Sequence, residues 1–405
     1  MTGTGAVDAT RLRVPALALA TVGVVFGAIR LFGPFHSGYD FAVYRMAGNA
    51  VVHRESLFGS WIPQHLRHPL PFTYPPLAAV FAVPLTTISE HLGFALWNLA
   101  SIVALVFVVR ASTGRLVHRF ANPRVAFAVV CVIALTFSPV QDEIGFGQVG
   151  IVLMAMCFFD CTRDPSRRSR GLLVGVATAI KLVPGIFIPY LWLSGRRRAA
   201  VVAAATFAAL TLAGAALMPS DSNTFWTSKI LDNGRVGNPG YVNNQSLNGM
   251  LLRAIGSSTH VVWPVLAIGV AAFGLHRAAR ASRSGDEMLG IAVTALVGLL
   301  VSPVSWVHHL VWIVAVLAVL IGDATNRRRV VFAVGVASLF MLRLPNLGDN
   351  IPPGWHLGWV AAVLRDSYGL LCVVLLGALA RQIRAASTQR PNTSASASTI
   401  SPSVA

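Results

Sequence analysis

Apolar runs of about twenty residues, separated by short clusters of arginine, constrain this chain more than any other feature. A helix needs about 20 apolar residues to cross the hydrocarbon core of a bilayer. Runs of that kind cover 14–32, 92–110, 125–140, 199–218, 261–276, 288–304, 308–322, 330–344 and 357–380; those at 149–160 and 171–193 are less regular. Charged residues make up 12% of the 405 positions, which is too few to solvate the surface of a globule. The formal net charge is nevertheless +17, from 32 Lys plus Arg against 15 Asp plus Glu. A nucleic-acid binder of that charge carries it in basic patches on a soluble surface. Here the basic residues punctuate apolar runs, so membrane lipids are the expected surroundings and no nucleic-acid partner is expected. The expected fold class is an all-α polytopic membrane protein.

The punctuation also orients the chain, because Lys and Arg stay on the cytoplasmic side. The clusters are Arg11 and Arg13, Arg110 to Arg124, Arg163 to Arg170, Arg196 to Arg198, Arg277 to Arg283, Arg327 to Arg329, and Arg381 to Arg390. Placing all of them inside requires 171–193 to enter and return as two short helices meeting at Lys181–Gly185, where Pro184 favours a break. It also requires 75–88 to be an outer-surface or half-inserted helix. About twelve crossings result, with both termini inside. The organisation is a cytoplasmic start (1–13), seven spans within 14–218 that include a long outside loop at 33–74, an outside loop at 219–260, five spans within 261–380, and a disordered cytoplasmic tail at 381–405. The first span has no cleavage site after it and is expected to be retained. The four cysteines lie in apolar runs, so no disulfide framework is expected, and no cluster shows metal-ligand spacing.

Polar residues against a bilayer are costly and mark function. In this chain they collect on the expected outer face. Asp40 follows the first span. It is either the N-cap of a helix starting at Phe41 or a general base whose pKa is raised by a low-dielectric surface. His53, Arg54, Glu55, His65, Arg67 and His68 share its loop. Lys181, one of two lysines, either snorkels to the interface or offers a cation to a lipid phosphate. His308 and His309 occupy a polar corner; adjacent helical residues point about 100° apart, so at most one faces a given site. The run Tyr241–Gly249 is rich in neutral hydrogen-bonding groups, which suits either sugar hydroxyls or, as composition favours, a loop that caps the next helix. Asp142, Glu143 and Gln148 form a further polar corner that has room for a second carboxylate site.

Six runs now matter together: GYDFAVYRMAG (38–48), LPFTYPPLAAVFAVPL (70–85), DEIGFGQVGIVLMA (142–155), GVATAIKLVPGIFIPYLWLSGRRRAA (175–200), NNQSLNGMLLR (243–253) and LVSPVSWVHHLVW (300–312). In this order the chain resembles glycosyltransferase family 87, the GT-C-type, polyprenyl-phosphate-mannose-dependent α-1,2-mannosyltransferases of actinobacteria. The resemblance runs from about residue 14 to 344. It implies a GT-C bundle in the cell membrane, with outer-surface helices in the first outside loop and an active site on the extracytoplasmic face. It implies that Asp40 matches the family's catalytic aspartate, Lys181 the lysine of an A-x-K-x-x-P pattern, and His308 and His309 the histidines of S-P-x-S-W-x-H-H. The donor would be a polyprenyl-phosphate mannose and the acceptor a cell-envelope glycolipid. Asp40 would take the acceptor's proton, and Lys181 with His308 or His309, joined by Arg45 or Arg253, would stabilise the leaving phosphate. Tyr44, Tyr74, Asn244 and Gln245 would line the acceptor path. No cofactor or metal is expected. Competing readings are an arabinosyltransferase using decaprenyl-phosphate arabinose, a lipid-linked sugar transporter, and a scaffold subunit of an envelope complex. Transporters usually show internal repeats and midplane polar sites, and this sequence shows neither.

Overall fold

The computed structural model describes residues 25, 38–58, 70–164, 166–256, 259–352 and 357–388. The span expected at 14–32 apart from Val25, the residues His65, Arg67 and His68, and residues 389–405 lie outside the described residues, whereas 381–388, expected as disordered tail, continue the last helix (Ser367–Thr388). Every named element is helical, and the β pairing is confined to an isolated bridge between Asn244 and Trp306. In chain order the first half holds α1 (Tyr39–His53), α2 (Pro76–Ala82), α3 (Glu90–Val117), α4 (Pro123–Thr136), α5 (Ser138–Phe146), α6 (Gly150–Thr162), α7 (Leu172–Ile180), α8 (Phe187–Leu193) and α9 (Arg197–Leu217). The second half holds α10 (Pro219–Thr224), α11 (Leu247–Ile255), α12 (Thr259–Arg283), α13 (Glu287–Val301), α14 (Ile313–Ile321), α15 (Arg327–Met341), α16 (Leu344–Asp349), α17 (Gly358–Arg365) and α18 (Ser367–Thr388).

Among the described residues three helices, α3, α9 and α12, are long and apolar enough to cross a membrane, or up to five spans if two bent pairs count as one each. The chain is a polytopic membrane protein. Helix α3 shows how such a span is written. Ser89 caps its first turn by accepting from the Leu92 amide, and Glu90 sits at the positive end of the helix dipole. Only 28% of its most apolar window is buried against protein, and the apolar remainder suits lipid. Helix α13 is the opposite case: Leu289 to Leu300 are buried on every side, so it forms the centre of the bundle.

Several expected spans are not single straight helices. The run 125–140 breaks at Phe137 into α4 and α5, bent by 72°. Pro139 has no N–H to donate, and its ring clashes with the carbonyl four residues back, so α4 cannot run on. The run 357–380 breaks at Asp366 into α17 and α18, bent by 62°. The run 308–322 starts as a 3-10 turn over Val307–Trp312 and is α-helical only from Ile313. The expected outside corner at 141–148 is largely helix α5, whose polar residues Gln141, Asp142 and Glu143 are buried. The loop 219–260 carries α10 and α11. At 75–88, α2 and the 3-10 turn after it are short of span length.

The break between α7 and α8 lies where the proline signal places it, with Lys181 in an extended conformation (φ −147°, ψ 129°). Two contacts hold α7. Asp160 accepts from the amides of Gly171 (2.9 Å) and Val174 (3.1 Å) at its start. Gly175 lets it approach α9 so closely that a Cβ there would sit 2.5 Å from the Ala203 carbonyl oxygen. In lipid such close packing and interhelical hydrogen bonds replace the hydrophobic drive of a soluble core. The buried Ser138 hydroxyl, 2.7 Å from both the Tyr368 hydroxyl and the Phe340 carbonyl, is a second example.

Candidate active site

A cavity of about 940 Å³ opens between α1, the stretch 70–75, the α5–α6 turn, the α7–α8 break, the segment 225–243 and the corner 301–309. Each of these segments brings polar groups to it. Asp40 comes from the first turn of α1. The expected capping role is not there: the helix begins at Tyr39, its N-cap is Gly38, and no side chain caps it. The Gly38 amide instead donates to the Gly145 carbonyl (3.1 Å), which ties the start of α1 to α5. The Asp40 carboxylate therefore faces the cavity. Burial raises its pKa from 3.8 to about 6, opposed by a hydrogen bond from Gln148 and the charge of Lys181.

Gln148 is the hub that sequence reasoning placed only in a generic polar corner. Its Oε1 accepts from the Tyr44 hydroxyl (2.8 Å) and the Tyr74 hydroxyl (2.9 Å), and the two phenols are 2.9 Å apart. With the carbonyl side of the amide occupied by phenols, its NH₂ is directed at Asp40. The backbone around Gln148 is equally constrained. Its carbonyl accepts from the Trp97 indole (3.2 Å) and its amide donates to the Glu143 carbonyl (2.9 Å). Gly147 before it has φ 70°, and a Cβ there would lie 2.7 Å from Phe41 Cβ, so glycine is required. Tyr74 lines the cavity, whereas Tyr44 stands behind Asp40 as a support.

Lys181 Nζ lies 3.0 Å from His309 Nε2 and 5.2 Å over the Tyr74 ring. An ammonium only donates, so Nε2 accepts and the imidazole proton sits on Nδ1. His308 also lines the cavity. Its ring packs against Phe146 (5.6 Å) and His309 (4.7 Å), and its Nε2 is enclosed with no partner. Asp142 reaches the cavity edge and forms an ion pair with Arg343. Glu143 turns away, accepting from the Ile151 amide (3.0 Å) at the start of α6.

Tyr44 and four further expected site residues are not brought to the cavity lining. Asn244 and Gln245 are buried, and their polar atoms meet backbone. Asn244 accepts from the Ser305 amide (2.9 Å) and donates to the carbonyls of Pro239 and Pro303. Gln245 donates to Val242 and Arg365 carbonyls and accepts from the Gly369 amide. Ser246 caps α11. The run therefore clamps the 302–309 corner and caps the next helix. Arg253 is ion-paired to Asp366 (2.5 Å) and bonded to the Tyr241 and Asn244 carbonyls. Arg45 donates to the Leu85 and Ile88 carbonyls, which fastens α1 to the segment after α2. Asn243, Arg235 and Trp306 line the cavity instead. Among the described residues no group of three or more His, Cys, Asp or Glu side chains is arranged to hold a metal ion. The four cysteines are free.

The arrangement is a carboxylate that ionises near pH 6 and a lysine–histidine pair, both lining one cavity of about 940 Å³. It is fit to remove a proton at one side and to receive an anion at the other.

The family model of glycosyltransferase family 87 matches residues 72–303. The chain is 32% identical over 375 residues to a polyprenol-phosphate-mannose-dependent α-(1-2)-phosphatidylinositol mannoside mannosyltransferase of Mycobacterium tuberculosis, covering 85% of this chain and 88% of that protein. It is 33% identical over 342 residues to the protein of the same description from Mycolicibacterium smegmatis, covering 79% and 78% of the two chains. It is 31% identical over 336 residues to a polyprenol-phosphate-mannose-dependent α-(1-2)-phosphatidylinositol pentamannoside mannosyltransferase of Mycobacterium tuberculosis, covering 80% and 78%. No solved structure gives a significant match.

Proposed function

The chain belongs to glycosyltransferase family 87, and from that premise we propose that it is an inverting membrane mannosyltransferase. It moves mannose from polyprenyl-phosphate mannose to a mannose hydroxyl of a phosphatidylinositol mannoside or related lipoglycan, making an α-1,2 linkage. The observation that supports this reading is that Asp40 and the Lys181–His309 pair line one cavity.

The steps follow from that placement. The acceptor oxygen attacks C1 of a β-linked mannosyl phosphate as Asp40 takes its proton. The C1–O bond to phosphate breaks, the electron pair leaves with the phosphate, and the linkage inverts to α. Lys181, held in place by His309, meets the oxygen that gains charge, where a fixed cationic donor lowers the barrier most. Gln148 holds Asp40, with Tyr44 and Tyr74 holding Gln148. Asn244, Gln245, Arg253 and Arg45 act on the frame of the site and not on substrate. The wider architecture in this reading is a GT-C bundle of about twelve spans in the cell membrane, with the cavity on the extracytoplasmic face, as the arginine clusters support.

The test is incubation of the purified protein with labelled polyprenyl-phosphate mannose and a phosphatidylinositol mannoside, followed by linkage analysis. The expected product carries a new α-1,2-mannose. Transfer from decaprenyl-phosphate arabinose in place of the mannosyl donor would overturn the assignment of the sugar.

A further inference from the structure

The mannosyltransferase reading brings two phosphates to the enzyme. One belongs to the donor and becomes the leaving group. The other is the phosphodiester of the acceptor lipid, which does not react. Two cationic side chains, Lys181 and Arg235, are found among the described residues that line the cavity. They flank the same short stretch. Lys181 lies over the ring of Tyr74, and Arg235 donates to the carbonyl of Thr73 (3.0 Å).

Arg196, Arg253 and Arg343 are part-buried and ion-paired to Glu287, Asp366 and Asp142. Arg45 and Arg329 are part-buried without such a pair but do not line the cavity. Arg235 lines it and has no carboxylate in ion-pair contact among the described residues. It donates to the Asp232 carbonyl (3.1 Å) and stacks over Phe225 at 5.4 Å, and its Nε is enclosed with no partner. Asp232 is the acidic group that acts on it through charge, and the Asp232 carboxylate is itself engaged by the Arg235 backbone amide (3.2 Å). Burial lowers the pKa of this guanidinium, so its surroundings leave the charge under-compensated. Nη hydrogens not used on the two carbonyls remain, and a planar guanidinium fork matches phosphate oxygens. A cation held this way is stabilised when an anion arrives.

We propose that Arg235 is the binding site for the phosphodiester of the acceptor lipid, distinct from the Lys181 site for the donor phosphate. The inference rests on the mannosyltransferase reading and deepens it: the enzyme recognises an anionic lipid headgroup as well as the terminal mannose. The Phe225–Asn243 segment, which carries Arg235, is then the specificity wall of the cavity.

The experiment compares two acceptors bearing the same oligomannoside. One is a phosphatidylinositol mannoside; the other carries an uncharged alkyl chain and no phosphate. Wild-type full-length protein in nanodiscs is expected to favour the phosphodiester acceptor in kcat/KM by about ten- to a hundredfold. Arg235→Gln should collapse that ratio toward one, and its acceptor KM should move more than its donor KM. Arg235→Lys, which keeps charge without the fork, should retain part of the ratio; it also carries the test if the Gln form does not fold. Inorganic phosphate at millimolar concentration should leave the preference intact, since the site is read as taking a lipid-borne diester. No wild-type preference, an equal loss on both acceptors, a loss confined to donor KM, or abolition of the preference by inorganic phosphate overturns the phosphodiester site while leaving the transferase intact. A wild-type protein that mannosylates neither acceptor removes the functional reading itself.

Discussion

Two polar regions of this protein look alike in composition and behave in opposite ways. The run Asn244–Arg253 and the set Asp40, Gln148, Lys181, His308 and His309 are both islands of hydrogen-bonding groups in an apolar chain. In the first, the side-chain nitrogens and oxygens of Asn244 and Gln245 meet backbone partners and Arg253 meets Asp366. In the second, among the described residues, Asp40 lines a cavity, His308 Nε2 has no partner, and Lys181 is hydrogen-bonded to the His309 imidazole. A buried polar group that is satisfied holds structure, and one left with valence toward a cavity is available for chemistry.

The comparison can be broken at several points. Asp40→Asn should lower transfer by on the order of a thousandfold while leaving thermal stability in detergent nearly unchanged, because the amide fills the same space without accepting a proton. A fully active Asn form at normal expression would end the assignment. Lys181→Gln should lower turnover by about a hundredfold, with donor kinetics affected more than acceptor KM; equal effects on both would take Lys181 away from the phosphate. The pH dependence comes next. Asp40 acts as base only when ionised, and burial holds its pKa at about 6. On log axes kcat/KM should therefore rise with pH at about one unit per unit below that value and flatten above it. The rise should vanish in whatever residual activity the Asn form shows. The smallest effect on chemistry belongs to the satisfied region. Asn244→Ala strips the Ser305 amide and the Pro303 carbonyl of a partner, so it should cost roughly 2–3 kcal/mol of stability. Its activity should recover at temperatures where the protein stays folded. Loss of turnover with an unchanged melting profile would move Asn244 into the site.

Much of the candidate site is legible in the sequence because charge is scarce. A carboxylate or a lysine beside an apolar run stands out when 12% of the chain is charged, and Asp40 and Lys181 do so. Gln148 is legible only as part of a polar corner, and Arg235 does not stand out at all. A glutamine in a polar corner and an arginine in a long loop carry no local signature of what they bond. Arg45 and Arg253 drew attention for the same reason that Arg235 escaped it: charge type alone does not reveal whether backbone carbonyls or a ligand receive the donors. The straight spans expected at 125–140 and 357–380 show the parallel limit for the fold. Hydropathy reports that a segment is apolar, whereas the bends at Phe137 and Asp366 depend on Pro139 and on the helices packed around them.

By itself the sequence determined that this chain belongs in a bilayer, that its elements are helices, and that the α7–α8 hairpin breaks at Lys181. Those outcomes follow from solvent, backbone satisfaction and proline geometry, which act over a few residues or one span. Only the tertiary structure decided which polar groups remain unsatisfied. Asp40, Gln148, Lys181 and His309 arrive from four separate elements, and their hydrogen-bond partners exist only once those elements are packed.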